Sequence, residues 1–212
     1  MDKSLGHAFA ATEVGYCLKR QQTCTSVTDT MRLTKISKFL SLILRHRPEA
    51  IGLRLDQAGW VNISELIERA YQSGVRMTSE QLRQVVATSN KQRFSISADG
   101  TRIRANQGHS TPVNLGLQAM VPPEMLYHGT SIRSLKAIRN EGIRRGGRNH
   151  VHLSQDEAMA RDVGRRHGPP VVLTIMAREM ADAGFSFYRS VNGIWLTEWV
   201  PTIYISFPPE RS

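Results

Sequence analysis

Cysteine is almost missing from this chain of 212 residues: there are two, Cys17 and Cys24, both close to the N-terminus. With none in the remaining body, neither a disulfide framework nor a cysteine-based zinc site is expected, and a reducing cytoplasm is the simplest home. Long apolar runs are missing too. No stretch approaches the roughly 20 residues that a spanning helix needs, and the opening MDKSLGHAFAATEVGYCLKRQQ lacks the sustained apolar core of a signal peptide. No membrane partner is therefore expected. Acidic residues are scarce beside basic ones, 18 against 28, leaving a formal net charge of +10 and a pI near 10.2. A surplus of that size calls for an anionic partner, nucleic acid or nucleotide ahead of a membrane surface. No internal repeat is present, and no exposed apolar stripe argues against a monomer.

What the chain does contain is organised around Leu44-Arg45-His46-Arg47-Pro48. Ile36, Phe39, Leu40, Ile43 and Leu44 fall at helical spacing in the run from Lys35 to Arg47. Pro48 pushes the residue before it out of the α region, so the helix must stop nearby. Arg45 and His46 thus stand at a helix C-terminus, where the macrodipole favours cations and should raise the affinity of the imidazole for a proton.

Residues 1–30 are polar, rich in Ser and Thr and without periodicity, and read as a disordered extension. Met31 directly precedes the first strong helix, and a start there would account for the segment. Residues 31–116 read as an α-rich module. After the first helix come a short strand at Leu53-Arg54-Leu55 and a turn at Asp56-Gln57-Ala58-Gly59. Asn62 caps a second helix with Ile63, Leu66, Ile67 and Ala70 inward, and Ser79 caps a third with Leu82, Val85 and Val86 inward. Arg93–Ser97 and Thr101–Ala105 flank Ala98-Asp99-Gly100, a hairpin signal. Three helices followed by a hairpin is the order of a winged helix, an architecture that usually handles nucleic acid.

The stretch 107–124 is rich in Gly, Pro and polar residues and reads as a connection, with 117–124 as the linker proper. From 125 to 212 short strands alternate with helices. Strands are expected at Met125–His128, His150–Leu153, Val171–Met176, Phe185–Tyr188, Ile194–Thr197 and Thr202–Phe207. Ser131 and Ser154 should cap helices, and a basic glycine loop runs from Arg144 to Arg148. The fold class is α+β.

Three segments here carry chemistry. His128 at a strand end is followed by Gly129-Thr130 and a helix start, a junction whose free N–H groups bind phosphate. In Arg148-Asn149-His150-Val151-His152-Leu153-Ser154 the two histidines share one strand face while Val151 enters the core. No third ligand accompanies them and Arg148 would repel a cation, so the pair reads as an anion or nucleotide contact with no metal. Gly164-Arg165-Arg166-His167-Gly168 is a basic helix end. Each segment alone has a bland reading as a turn or a solvated face.

Taken together they do not. LRHRPE, KQRF, IRANQGHS, LYHGT, RNHVHLS, VGRRHG and NGIWLT stand in the order and spacing of the RNA 2′-phosphotransferase family, also called tRNA 2′-phosphotransferases, from about Thr34 to Phe207. Ile194 replaces the valine usual in the family. The resemblance implies a winged-helix-like N-terminal lobe and an ADP-ribosyltransferase-like C-terminal lobe that binds NAD. It implies that NAD is a co-substrate and that an RNA bearing a 2′-phosphate is the partner. The phosphate attacks C1″ of NAD and expels nicotinamide, giving RNA-2′-phospho-ADP-ribose. The 2″-hydroxyl then attacks phosphorus and releases the RNA and ADP-ribose 1″,2″-cyclic phosphate.

By the same resemblance Arg45, His46, Arg93 and Arg148 form the catalytic set, with Lys91 assisting. His128, Gly129, Thr130, His152, Leu153, Ser154 and Arg166 line the NAD site. Two rival readings remain open: an ADP-ribosyltransferase acting on other nucleic-acid phosphates or on protein, and a winged-helix regulator that senses a nucleotide. Many protein-modifying members of that fold use a glutamate; the nearest one here, Glu198, falls in the helix or turn after Leu196-Thr197 and is no clear counterpart.

Overall fold

The computed structural model describes residues 27–209. The expectation for residues 1–26 therefore lies outside the described residues, whereas residues 27–30 differ from it: they form the first turn of helix α1, Val27–Arg45. Ile36, Leu40, Ile43 and Leu44 of α1 are all buried, each worth about 2 kcal/mol relative to exposure. The helix closes where His46 N and Arg47 N both donate to the Leu42 carbonyl, at 3.0 Å each. Pro48 opens a separate turn of 3-10 helix, Pro48–Ile51. Leu53–Leu55 is not a strand: Leu53 N donates back to the Pro48 carbonyl and the segment passes directly into the Asp56 turn.

The turn itself forms as expected, with the Asp56 carboxylate accepting from Ala58 N and Trp60 N. Strand β1 (Val61–Asn62) delivers Asn62, whose side chain caps α2 (Ile63–Gln72) by accepting from Ser64 N at 2.8 Å. The next cap is Thr78 rather than Ser79. Its hydroxyl accepts from Gln81 N while the Gln81 side chain reaches back to Thr78 N, a reciprocal box that starts α3 (Ser79–Ala87) one residue before the expected site. The hairpin is β2 (Phe94–Ile96) against β3 (Arg102–Ala105), with β1 added on the other side of β3. One core, from Ile36 to Ala105, joins all of these elements.

A second core runs from Leu126 to Ile205. Its elements are β4 (Met125–Ser131), α4 (Leu135–Glu141), β5 (Ile143–Arg144), β6 (Val151–Leu153) and α5 (Glu157–Gly164). There follow β7 (Pro170–Met176), α6 (Ala177–Asp182), β8 (Tyr188–Arg189), β9 (Trp195–Thr197), β10 (Trp199–Val200) and β11 (Ile205–Ser206). Three small antiparallel sheets result, in the orders β11-β7-β4, β6-β9-β8 and β10-β5. Tyr127 and Ser154 exchange backbone hydrogen bonds of 2.7 and 2.9 Å, which ties β4 to the end of β6. The architecture is thus mixed α+β.

Several local expectations shift here. Thr202–Tyr204 is a 3-10 turn, so only Ile205–Ser206 of the last predicted strand joins the sheet. Ser131 makes no capping bond. Asp156, two residues beyond Ser154, caps α5 by accepting from Ala158 N at 2.7 Å, a carboxylate being the better partner for the helix start. Most consequential is His128-Gly129-Thr130, which is the middle of a seven-residue strand paired residue by residue with β7, and not a strand-to-helix junction. Gly129 is glycine because α5 lies on it. A Cβ there would stand 1.6 Å from the Ala160 carbonyl oxygen, and one on Gly164 would stand 2.6 Å from the Thr130 oxygen.

Residues 107–124 hold no helix, yet they are bonded along their length to both halves. Ser110 N donates to the Arg45 carbonyl at 2.8 Å, Asn114 N to Gln57 O at 2.8 Å and Met120 N to Phe187 O at 2.8 Å. Among the described residues no helix is long and apolar enough to cross a membrane.

Candidate active site

Arg45 is the last residue of α1, and its side chain turns into the groove between α1 and the hairpin. The guanidinium stacks 5.9 Å from the Phe94 ring centre and donates weakly to the Arg93 carbonyl at 3.5 Å, while its buried Nε has no partner. Burial, then Arg93 and Arg148, pull its pKa down to about 10. His46 follows on the exposed helix end with Nδ1 3.0 Å from the Ser110 hydroxyl. Its proton affinity is lowered, first by burial and then by Arg45 and Arg148. The expected rise from the helix dipole is outweighed, because loss of hydration together with neighbouring full charges exceeds the half-charge of a helix end.

Arg93 is presented by a strained turn. Gln92 is the only described non-glycine residue with positive φ, +39°, a conformation that persists only when its surroundings hold it. Buried Asn106 does so: its side-chain amide donates to the Gln92 carbonyl at 2.7 Å and its backbone N–H to the Arg93 carbonyl at 2.9 Å. Lys91 is held from the other half, its carbonyl accepting from the Asn192 side chain at 2.9 Å. Burial and Arg166 lower the proton affinity of both Lys91 and Arg93.

The glycine loop supplies Arg148, which donates to His152 Nδ1 at 3.4 Å. Accepting at Nδ1 leaves the proton of neutral His152 on Nε2, and that buried Nε2 has no partner among the described residues. Burial and then Arg148 pull the His152 pKa down to about 3, so the ring is neutral. The next residue, Asn149, anchors the loop to the connection: its N–H donates to the His109 carbonyl at 2.9 Å and its side chain to the Thr111 carbonyl at 3.0 Å. Residues 109–111 therefore clamp Arg148 with one set of bonds and Arg45–His46 with another. Sequence reasoning passed over Asn106, Ser110 and Asn149. All three lie within the motifs IRANQGHS and RNHVHLS, but nothing local in the chain signals a bond such as that from Ser110 to a residue 64 positions away.

Arg166, in the 3-10 turn Arg165–His167, faces the same volume, since it depresses Lys91, Arg93 and Arg148 alike. Arg45, Arg93, Arg148 and Arg166 thus converge from four segments of the chain. Among the described residues none of the four has a carboxylate partner; the ion pairs there involve Arg102, Arg144, Arg161 and Arg165 instead. Like charges gathered without compensation are an anion site, and guanidinium forks suit phosphate.

Beside the cluster lies a cavity of about 310 Å³ lined by His109, Asn149, His150, His152, Tyr188 and Leu196. The rings of His150 and Tyr188 meet edge to face at 5.8 Å. Of the residues expected at a nucleotide site, His152 lines this cavity and Arg166 joins the cation cluster. His128, Gly129, Thr130, Leu153 and Ser154 belong to the strands behind them. His128 Nδ1 donates to the His152 carbonyl at 3.1 Å, and the Thr130, Leu153 and Ser154 side chains are buried in the body of the fold. Glu198 sits in the bend between β9 and β10; burial lowers the proton affinity of His150, and Glu198 offsets part of that fall.

The sequence profile described as "RNA 2'-phosphotransferase, Tpt1 / KptA family" matches residues 31–199. A Pectobacterium carotovorum protein named "Probable RNA 2'-phosphotransferase" is 53% identical over 175 residues, covering 82% of this chain and 94% of that protein. Proteins of the same name from Escherichia coli O6:K15:H31 and Shigella boydii serotype 18 are each 52% identical over 176 residues, with 82% of this chain and 96% of the relative covered. The chain belongs to the RNA 2′-phosphotransferase family, a family of transferases.

Proposed function

We propose that this chain removes an internal 2′-phosphate from RNA using NAD as a second substrate. In this reading the half built on α1–α3 and the β2–β3 hairpin is a winged-helix-like RNA lobe, and the half from β4 onward is an ADP-ribosyltransferase-like NAD lobe. The connection 107–124 joins them, and its clamp at residues 109–111 holds the site where they meet. The observation that carries the reading is the cluster of Arg45, Arg93, Arg148 and Arg166, with no carboxylate partner among the described residues and contributed by both halves.

NAD would supply an electrophilic ribose carbon and a cationic leaving group, nicotinamide. The features that fit it are the unpartnered Nε2–H of His152, the Arg166 guanidinium for the pyrophosphate and the adjoining cavity. The RNA 2′-phosphate is already an anionic nucleophile, so the chain needs no base for the first step. Arg45, Arg93 and Arg148 aim the phosphate and offset its charge. Neutral His152, bonded to Arg148, fixes where that guanidinium points.

The second step asks more of these residues. The 2″-hydroxyl attacks phosphorus, the P–O bond to the RNA ribose breaks, and negative charge builds on the nonbridging oxygens. Preorganised guanidiniums stabilise that charge; one such contact is typically worth about 3 kcal/mol, a few hundredfold in rate. The departing RNA 2′-oxygen takes a proton from His46, and the proton of the 2″-hydroxyl passes to solvent. In the free protein His46 gives up its proton easily. The anionic phosphodiester of the intermediate raises its affinity again, so the acid is charged when the second step begins.

The test is incubation with NAD and an oligoribonucleotide carrying one internal 2′-phosphate. One nicotinamide should be released for each 2′-phosphate removed. Release of nicotinamide without loss of the 2′-phosphate would favour ADP-ribosylation of another acceptor and overturn the assignment.

A further inference from the structure

Two open grooves flank the outer face of α1 and meet at Arg93. One, of about 450 Å³, is lined by Thr34, Ser37, Ser89, Asn90, Lys91 and Arg93 among others. The other, of about 570 Å³, takes in Thr34, Ser37, Lys38, Ser41, His46 and Arg93. Thr34, Ser37 and Ser41 recur at helical spacing, so one polar face of α1 leads straight to the cation cluster at its C-terminal end. From Thr34 to Arg45 the helix rises about 16 Å, on the order of five nucleotides at the stacked spacing of a strand.

The chemistry of this face is specific. Among the described residues no carboxylate lines either groove. Thr34 Oγ1 donates to the Thr30 carbonyl at 2.9 Å and Ser41 Oγ to the Ser37 carbonyl at 2.8 Å. A hydroxyl that spends its proton on its own helix presents only lone pairs to the groove, so it accepts and does not donate. Ser89 Oγ, buried in the wall of the first groove, has no partner among the described residues. Lys38, Lys91 and Arg93 add donors with positive charge. Acceptors interleaved with cations match a strand whose backbone alternates 2′-hydroxyl donors with phosphates, which is RNA and not DNA.

We propose that this face of α1 is the track for the single RNA strand that carries the 2′-phosphate, with its hydroxyls reading the neighbouring 2′-OH groups. The proposal rests on the reading that the cation cluster takes an RNA 2′-phosphate. It adds where the rest of the strand runs and how ribose is told from deoxyribose.

Fluorescence anisotropy without NAD tests it independently of the chemistry. The probes are oligonucleotides with one internal 2′-phosphorylated ribonucleotide, two or eight residues long, the longer ones flanked by ribose or by deoxyribose. The native protein should bind the longer ribose probe at least about tenfold more tightly than the dinucleotide, and more tightly than the deoxyribose probe. Lys38→Glu should remove most of the gain with length, and Thr34→Val with Ser41→Ala should remove the preference for ribose. All of these variants should bind the dinucleotide as the native protein does, which also shows that they fold. Native affinity that is indifferent to length, or variants that keep both preferences, would overturn the track. A protein that shows the track yet releases no nicotinamide would leave the track standing and refute the proposed reaction.

Discussion

His46 stands at a helix end whose dipole favours its protonated form, but burial first and then the neighbouring guanidiniums oppose that form, and together they prevail in the free protein. A general acid with a lowered pKa works only when protonated, so kcat/KM should fall as pH rises through a limb below the ordinary 6.5. The limb in kcat, which reports the substrate complex, should lie at higher pH because the bound phosphate adds its charge. Coincident limbs would mean that the phosphate does not sit beside the ring. Ser110 should matter through the same ring, since its hydroxyl holds Nδ1 and leaves Nε2 as the working nitrogen. Ser110→Ala should slow formation of the RNA product by roughly fivefold, on the order of 1 kcal/mol for one hydrogen bond, and Ser110→Thr should restore it; a rapid-quench comparison of the three proteins decides. Arg45, His46, Arg93 and Arg148, the catalytic set of the proposed reaction, were singled out in the sequence through the short motifs in which they stand. Their supports were not. Asn106, Ser110 and Asn149 act through backbone carbonyls brought near by folding, and no local pattern marks such bonds.

At the scale of elements, the strand-and-helix order was legible wherever periodicity ran long, as in α1 and α2, and in the turn chemistry of Asp56 and of the hairpin. It failed where a distant element decided the outcome. His128-Gly129-Thr130 resembles a phosphate-binding turn, yet the glycine is dictated by α5 crossing β4 some 31 residues later, at Ala160. Gly129→Ala should therefore act on stability first. Its Cβ meets a backbone carbonyl at 1.6 Å, so α5 must move, and a loss on the order of 3 kcal/mol is expected in chemical denaturation. A variant as stable as the native protein but with weakened nucleotide binding would return the glycine to the role that its motif suggested. The caps at Thr78 and Asp156 show the smaller version of the same limit: several adjacent Ser, Thr and Asp side chains could cap, and the geometry of the chain entering the helix selects one.

For the whole molecule, charge and burial make two demands. The surplus of +10 should act on RNA more than on NAD. RNA affinity should drop steeply with salt, with a logarithmic slope near −0.7 per phosphate contact, while the KM for NAD changes little; equal slopes would contradict the division between the halves. Burial also sets the pH range of stability. His109 is held down to about 4 and His152 to about 3, both below the ordinary 6.5. Below pH 6.5 the unfolded chain takes up protons that the folded protein refuses. Stability is therefore full above that pH and is lost as pH falls toward 4, by about 1.4 kcal/mol per pH unit for each such histidine. Thermal midpoints between pH 7 and 4 should show this fall, and His109→Gln should make it shallower. In the proposed reaction both halves assemble one cation cluster whose main task is the second chemical step. A quenched time course with NAD and a 2′-phosphorylated oligonucleotide, run on the native enzyme and on Arg93→Ala and His46→Ala, addresses it most directly. RNA-2′-phospho-ADP-ribose should accumulate in the two variants while nicotinamide still appears, and remain scarce in the native enzyme. Equal losses of nicotinamide release and of RNA product, with no intermediate in either variant, would contradict the account.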